Sequence, residues 1–218
     1  MVSENVIERI ARHYPSRWTQ GYVRGKMRSD PAYKVVLEQV MDSDLPLMDV
    51  GCGMGFLSFY LREMGYARPI IGFDLDATKI GQAREVADHY KNLEFRVEDA
   101  GNRFEFQGNV VMLDVLQYLD LDTQRGLLQR LATNIAPGGK CLIRATPNDG
   151  SWRYLITKWM DGVMHAIRWM KSPAQHYLTM DELTAPFVAV GCKCKVRSLW
   201  GSTPFNSYLI VVERHKER

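Results

Sequence analysis

The feature that most constrains this chain is a cluster of alternating glycines directly after a short apolar run. The run covers residues 45–50, and the glycines are Gly51, Gly53 and Gly55. Because glycine has no Cβ, such a loop can turn sharply and let a ligand approach the backbone. Apolar runs of strand length then alternate with stretches of helical length up to about residue 145. This alternation predicts an α/β chain with a parallel sheet flanked by helices.

The predicted elements complete this pattern on both sides of the alternating region. Strands are predicted at 45–50, 70–73, 93–97, 109–113, 140–144, 192–199 and 208–212. Helices are predicted at 3–13, 31–41, 56–64, 77–90, 122–135, 151–170 and from a Thr179–Glu182 capping box to about Gly191. Residues 13–29 are predicted to be irregular. The last two strands follow each other directly, so one strand near the C-terminus is expected to run antiparallel.

Composition narrows the class of protein further. The chain has 218 residues, 46% of them hydrophobic, which favours one ordinary globular domain. A net charge of +3 and a pI of 8.6 are too mild for a dedicated nucleic-acid binder. No uncharged apolar stretch reaches about 18 residues, so no membrane span is expected. Four cysteines without a signal-peptide pattern indicate a reduced, cytoplasmic protein.

The glycine loop is compatible with only some ligands. A phosphate-binding loop requires a lysine after the glycines, and a dinucleotide fingerprint spaces its third glycine one residue later than this chain does. Asp49 lies two residues before Gly51. A carboxylate there would repel a pyrophosphate but would suit a ligand with an ammonium group. The loop therefore predicts a cationic nucleoside.

Five segments in one order resemble the class I S-adenosylmethionine-dependent methyltransferases. They are Asp49–Gly55, Ile71–Asp74, Val97–Ala100, Asp114–Tyr118 and Ala136–Lys140. The resemblance covers residues 45–145 by motif and the whole chain by element order. It implies a doubly wound, Rossmann-like, mostly parallel seven-stranded sheet with one antiparallel strand. It also implies S-adenosylmethionine as cofactor, with S-adenosylhomocysteine as product.

The same resemblance implies one methyltransferase domain over residues 1–218. It divides into an N-terminal helical or lid segment (1–44), a cofactor-binding core (45–145), and a cap helix with closing strands (146–218). Asp74, 21 positions after Gly53, would accept the two ribose hydroxyls, while Asp76 would cap the next helix. Asp99 would contact the adenine amino group, although a plain turn residue is an alternative. The remaining predicted cofactor residues are Asp49, Gly51, Gly53, Gly55, Ala100, Asp114, Gln117, and Arg24 or Lys26 on the cofactor's carboxylate.

Catalytic candidates are few. An acceptor that must lose a proton gains from a general base. His176 ranks first, because it lies between the aromatic helix 151–170 and the capping-box helix. Asp114 and Tyr118, at the end of the fourth strand, are further candidates, as are His13 and His165. A structural role is the alternative for each histidine.

Metal chemistry is not predicted. Cys192 and Cys194 form a C-x-C pair on a predicted edge strand, and no further pair completes four ligands. Cys52 is interpreted as a small loop residue and not as a nucleophile.

The class of methyl acceptor is inferred mainly from the motifs that this sequence lacks. The fourth strand does not end in the N-P-P-Y type of segment, and nothing indicates a magnesium-assisted reaction. These absences leave a small organic molecule, bound under the helix 151–170, as the expected acceptor. The helix itself is expected to be chiefly packing. Residues 14–26 and 200–206 are similar to small bacterial methyltransferases of aryl polyene pigment biosynthesis. That similarity implies a phenolic or aryl polyene acceptor.

The charge of the N-terminal segment suggests a protein partner. Residues 1–28 hold six basic residues against two acidic ones, which would suit an acidic acyl carrier protein, or else is ordinary solvated surface. Three other functions stay open: methylation of a protein or carrier-bound group, an oxidoreductase, and a non-catalytic S-adenosylmethionine-binding scaffold.

Overall fold

The computed structural model describes residues 2–102, 104–166, 174–201 and 203–215. The strands are β1 (Leu47–Val50), β2 (Ile70–Asp74), β3 (Leu93–Val97), β4 (Asn109–Leu113), β5 (Lys140–Ala145), β6 (Lys193–Ser198) and β7 (Tyr208–Glu213). The helices are α1 (Glu4–Ala11), α2 (Arg17–Ser29), α3 (Ala32–Val40), α4 (Phe56–Glu63), α5 (Ala77–Ala87), α6 (Leu121–Asn134), α7 (Trp152–Ala166) and α8 (Met180–Ala189). A short 3-10 helix covers Leu116–Tyr118.

The strands form one seven-stranded sheet in the order β3-β2-β1-β4-β5-β7-β6. Strand β2 pairs in parallel with both β1 and β3, whereas β7 pairs antiparallel with both β5 and β6. The predicted fold class, a mostly parallel sheet with one antiparallel strand near the C-terminus, is confirmed. No helix in the described part of the chain is long and apolar enough to cross a membrane.

Two compact units, residues 1–111 and 112–218, divide the chain within β4. The first unit buries Ile10, Met27 and Phe59 completely. The second buries Leu128 and Phe187 in the same way. Each unit thus has an apolar core of its own.

Helix α2 corrects the prediction of an irregular segment at 13–29, which is wrong for residues 17–29. Ser16 caps the helix, because its Oγ accepts the Thr19 backbone N–H at 2.9 Å. Val23 and Met27, four residues apart, are fully buried, while the two glycines of α2 have open space where a Cβ would lie. Burial of one helix face outweighs the low helix propensity of glycine.

The expectation that the helix 151–170 is chiefly packing is wrong for three of its apolar residues, which lie on α7. Trp152, Leu155 and Trp159 are 58%, 59% and 65% exposed. The predicted helix continues through residues 167–170, which lie outside the described residues.

The opposite face of α7 is the one that packs. The Tyr154 ring lies edge-on to the Tyr177 ring at 5.5 Å, and Thr157 Oγ1 accepts the Asn206 backbone N–H at 2.8 Å. Hydrophobic periodicity identifies an apolar helix face but does not determine whether the fold covers it.

Gly55 provides a test of close packing beside the glycine loop. It has φ +81°, and a Cβ there would lie 2.8 Å from the Phe95 ring and 2.9 Å from the Phe59 ring. Gly150, with φ +67° and nothing within 4 Å, is the matched control. We expect Gly150→Ala to cost about 1–2 kcal/mol of strain, and Gly55→Ala a further ~1–3 kcal/mol of overpacking. Urea unfolding measures both, and equal losses would contradict the packing argument.

Candidate functional site

The glycine loop is tied by its backbone to the neighbouring strand. Gly51 and Cys52 both donate their backbone N–H to the Phe73 carbonyl, at 2.8 and 3.0 Å. The three glycines all have φ between +56° and +81°, a region that favours glycine. The alternating pattern in the sequence thus reflects a real backbone requirement.

Asp74, at the end of β2, holds this loop in place with its carboxylate. Its Oδ2 accepts the Gly53 N–H and its Oδ1 accepts the Asp76 N–H, both at 2.9 Å. Asp76 in turn caps α5 by accepting the N–H groups of Thr78 and Lys79. The capping role predicted for Asp76 is confirmed, and the ribose role of Asp74 stays a prediction.

Asp49 is buried at the end of β1, where its Oδ2 accepts a hydrogen bond from Ser58 Oγ at 3.3 Å. Burial, opposed by the Ser58 hydrogen bond and aided by the charge of Asp74, raises the pKa of Asp49 to about 7. A nearby cation would favour the ionised carboxylate. Asp49 therefore suits a positively charged ligand.

Asp99 and Ala100 follow β3 at the same edge of the first unit. Val97 lies opposite Asp74 in the β2–β3 register, so Asp99 comes two residues beyond that point. Asp99 Oδ1 accepts the Gly101 N–H at 2.8 Å, which is the geometry of a turn residue. Ala100 is buried.

Burial raises the pKa of the Cys52 thiol, with the charges of Asp49 and Asp74 adding to the effect. A thiol held neutral in this way is a poor nucleophile. This agrees with its interpretation as a small loop residue.

Tyr14 is a residue of this loop region that sequence reasoning missed. Its hydroxyl donates to the Met54 carbonyl at 2.7 Å, and its buried ring lies edge-on to Phe56 and Phe59. The segment before α2 therefore contacts the glycine loop directly. The aromatic character of residues 14–18 was the only sequence signal.

Arg24 and Lys26 are engaged elsewhere in the structure. Arg24 donates twice to Glu8, at 2.8 and 2.9 Å, and Lys26 pairs with Asp30 at 2.9 Å. Two further arginines of residues 1–28 are also ion-paired. A role for Arg24 or Lys26 on the cofactor's carboxylate would require these pairs to open, and it stays a prediction.

In the second unit, Asp114 follows β4 with a φ of +59° and forms an ion pair with Arg144. The Arg144 side chain is buried on β5. Gln117 Nε2 donates to the Asp114 carbonyl at 3.4 Å. Sequence reasoning missed Arg144, although an arginine within the apolar β5 was a signal, because a buried guanidinium requires a partner.

A cavity of about 420 Å³ lies in the same unit. Its lining residues are Asn148, Tyr154, Lys158, Asp161, Gly162, Ala174, Gln175, His176 and Tyr177.

Two glutamines fix one wall of this cavity. The Gln175 N–H donates to the Gln117 carbonyl at 2.7 Å, and its side chain donates to the Tyr118 carbonyl at 3.2 Å. Gln124 Nε2 donates to the His176 carbonyl at 3.0 Å. These bonds bring two predicted catalytic residues, Tyr118 and His176, into one neighbourhood.

The Asp161 carboxyl and the Tyr177 phenol, which both line the cavity, are coupled. The Tyr177 hydroxyl donates to Asp161 Oδ2 at 2.6 Å. Burial raises the pKa of Asp161, and burial together with Asp161 raises the pKa of Tyr177. Burial, with the charge of Asp161, also raises the pKa of Tyr118 to about 12. Tyr118 and Tyr177 are therefore neutral near pH 7 and poor general bases, and the Tyr177 proton is already donated to Asp161.

The other histidine candidates lie elsewhere. His13 stacks on His89 at 3.9 Å in the first unit, and burial lowers the pKa of His13. The side chain of His165 lies outside the described residues. The described residues contain no group of three or more His, Cys, Asp or Glu side chains able to hold a metal ion.

The sheet order with its antiparallel β7, together with the acid-flanked glycine loop after β1, defines a class I S-adenosylmethionine-dependent methyltransferase fold. A family model described as a methyltransferase domain matches residues 41–182. The chain belongs to this methyltransferase family.

Solved structures share this fold over most of the chain. An O-methyltransferase family protein from Burkholderia thailandensis matches with a TM-score of 0.69 at 18% identity, covering 96% of this chain and 63% of that one. Magnesium protoporphyrin IX methyltransferase from Synechocystis PCC 6803 with bound SAH matches with a TM-score of 0.66 at 18% identity, covering 96% and 93%.

Curated relatives match over shorter stretches. N-demethylindolmycin N-methyltransferase of Streptomyces griseus is 28% identical over 50% of this chain and 47% of its own length. Ribosomal protein L11 methyltransferase of Burkholderia vietnamiensis is 29% identical over 48% of this chain and 33% of its own. The matches thus span half or less of these relatives.

Asp74 and Asp76 form a matched pair for testing the predicted ribose contact. Hydrogen bonds to a carboxylate contribute about 1.5–3 kcal/mol, so Asp74→Ala is expected to weaken S-adenosylhomocysteine binding at least about ten-fold. Asp76→Ala removes a helix cap, costs about 0.5–2 kcal/mol of stability, and should leave affinity within about two-fold of the parent protein. Calorimetry gives both affinities. Equal affinities for the two variants would refute the assignment.

Asp49 gives a pH-dependent prediction of stability. Between the ordinary pKa of 3.8 and the folded value of about 7, the folded state binds a proton that the unfolded state lacks. The contribution of Asp49 to stability therefore falls as pH rises through this window. We expect Asp49→Asn to be more stable than the parent protein at pH 8, by about 2–4 kcal/mol, with the difference vanishing near pH 4. Urea unfolding across this pH range measures it, and a pH-independent difference would contradict the prediction.

Proposed function

We propose that the protein transfers a methyl group from S-adenosylmethionine to a small aromatic acceptor with a phenolic hydroxyl. The cavity of the second unit is the observation that carries this proposal. Its volume of about 420 Å³ is in the usual range for small-molecule sites, roughly 300–1,000 Å³. The edge-on pair of Tyr154 and Tyr177 supplies aromatic walls that suit a flat ring.

The residues at the first unit's strand ends suit the cofactor chemically. Asp49 would face its ammonium group, the loop Gly51–Gly55 would allow close backbone approach, and Asp74 would accept from its ribose. Asp99 and Ala100 would flank the adenine. For Asp114 and Gln117, a cofactor role stays what the resemblance implies. When bound, S-adenosylmethionine supplies an electrophilic methyl group on a sulfonium.

The chain's own residues then hold and deprotonate the acceptor. A phenol with a pKa near 10 is mostly protonated at pH 7, so a base accelerates its attack. His176 lines the cavity and is our candidate for that base. Tyr118, being neutral, would position the acceptor by donating a hydrogen bond, whereas the Tyr177 hydroxyl already donates to Asp161 and would only accept one. Asp114, paired with Arg144, would act in positioning and not in proton transfer. Alignment alone supplies on the order of 7–11 kcal/mol.

To test the class of acceptor, we would measure the formation of S-adenosylhomocysteine with matched phenols, anilines and peptides as acceptors. Turnover that requires the phenolic hydroxyl supports the proposal, and turnover on peptides alone would refute it. A carrier-bound acceptor, including an aryl polyene on an acyl carrier protein, is compared with the free acid in the same assay. The basic segment 1–28 favours the carrier, although four of its six cations are already ion-paired.

His176→Ala is expected to lower kcat about 10²–10⁴-fold at pH 7 with little change in KM. The deficit should shrink as pH approaches the acceptor's own pKa, because the phenolate then forms without a base. His215→Ala, beyond β7, is the matched control and should keep full activity. A deficit that stays constant from pH 6 to 10 would indicate a structural role and reject His176 as the base.

A further inference from the structure

Helix α7 presents an apolar face that the described part of the fold leaves open. Trp152, Leu155 and Trp159 recur at intervals of three and four residues and are all more than half exposed. Spacing of this kind places the three side chains on one stripe of the helix. Together they form the exposed face of α7. Exposed apolar clusters of this type mark interaction surfaces.

Contacts of Arg153 and Thr157 anchor helix α7 to residues 200–206. Arg153 donates to the Thr203 carbonyl, and its guanidinium lies 4.6 Å from the Trp152 ring centroid and 4.7 Å from that of Trp200. Thr157, on the opposite side of α7, accepts the Asn206 N–H at 2.8 Å. The tryptophans are thus presented outward by an anchored helix.

Two basic residues of α7, Arg153 and Lys158, flank the face. Lys158 is exposed and borders the face on one side, and Arg153 follows Trp152 on the other. Asp161, the one acidic residue in the sequence of α7, is half-buried and accepts from the Tyr177 hydroxyl. Asp149 precedes the helix, where its side chain accepts the Ser151 N–H.

We propose that the exposed face of α7 docks reversibly on the surface of a membrane that contains anionic lipids. Tryptophan and leucine on one face with lysine and arginine beside it are the composition of helices that lie in the lipid interface. Anionic headgroups attract such flanking cations. A second copy of this chain fits less well, because a two-fold contact of the face with itself would bring like charges together.

The docked face would lie beside the cavity of the second unit, because Lys158 and Gly162 of α7 line that cavity. Docking does not depend on the proposed function, since it concerns a different surface. A lipid-bound location would, however, place the cavity close to lipophilic molecules.

Vesicle sedimentation tests the proposal on the full chain. Phosphatidylcholine vesicles with and without phosphatidylglycerol serve as probes. The double variant Trp152→Ser/Trp159→Ser removes both tryptophans of the face, and Val188→Ser, at a position 58% exposed on α8, is the matched control. Thermal unfolding and S-adenosylhomocysteine binding show that each variant is folded.

We expect the parent protein and Val188→Ser to bind anionic vesicles, with at least ten-fold weaker binding by the double variant. Binding should weaken as salt increases, because salt screens the cations. Failure of the parent protein to bind, or equal binding by the double variant, would overturn the proposal. So would a dimer that dissociates in the double variant without vesicle binding, since the face would then be a contact between copies. None of these outcomes depends on the acceptor.

Discussion

The candidate cofactor site depends on one carboxylate with two backbone partners. Asp74 accepts the N–H of Gly53 in the loop and that of Asp76 at the start of α5, both at 2.9 Å. Charge-assisted bonds of this kind are among the stronger ones in proteins. They connect the end of β2 to the loop after β1, so the positive φ angles of the glycines are held by a fixed partner. The Tyr14 hydroxyl on the Met54 carbonyl holds the other part of the loop.

Burial of charge is the second constraint. Asp49 is buried with Ser58 as its side-chain partner, at a cost in stability that falls when the carboxyl is protonated. Protein interiors rarely keep such a group without a functional reason. In the second unit, the buried charge of Arg144 is neutralised by an ion pair with Asp114. Asp114 itself has an unusual positive φ. Strain and buried charge therefore coincide with the predicted functional positions.

Sequence reasoning succeeded where a local rule applies. Three features were predicted correctly: the sharp turn of the glycine loop, the Asp76 cap and the Thr179–Glu182 capping box. Each depends on residues that are close together in the chain. It failed at α2, whose glycines indicated an irregular segment, because burial of Val23 and Met27 is a tertiary effect. It failed also for the exposed face of α7. Arg144 and Tyr14 were missed because their partners are 30 and 40 residues away.

The sequence by itself determined the order of strands and helices, the glycine loop and the acids beside it, because these follow from periodicity and from backbone chemistry. Only the tertiary structure decided which side of α7 packs, which cations of residues 1–28 are already paired, and which groups line the cavity of the second unit. The physical reason is that burial and pairing depend on residues distant in the chain. A side chain's own neighbours in sequence do not specify whether it meets solvent, a carboxylate or another ring.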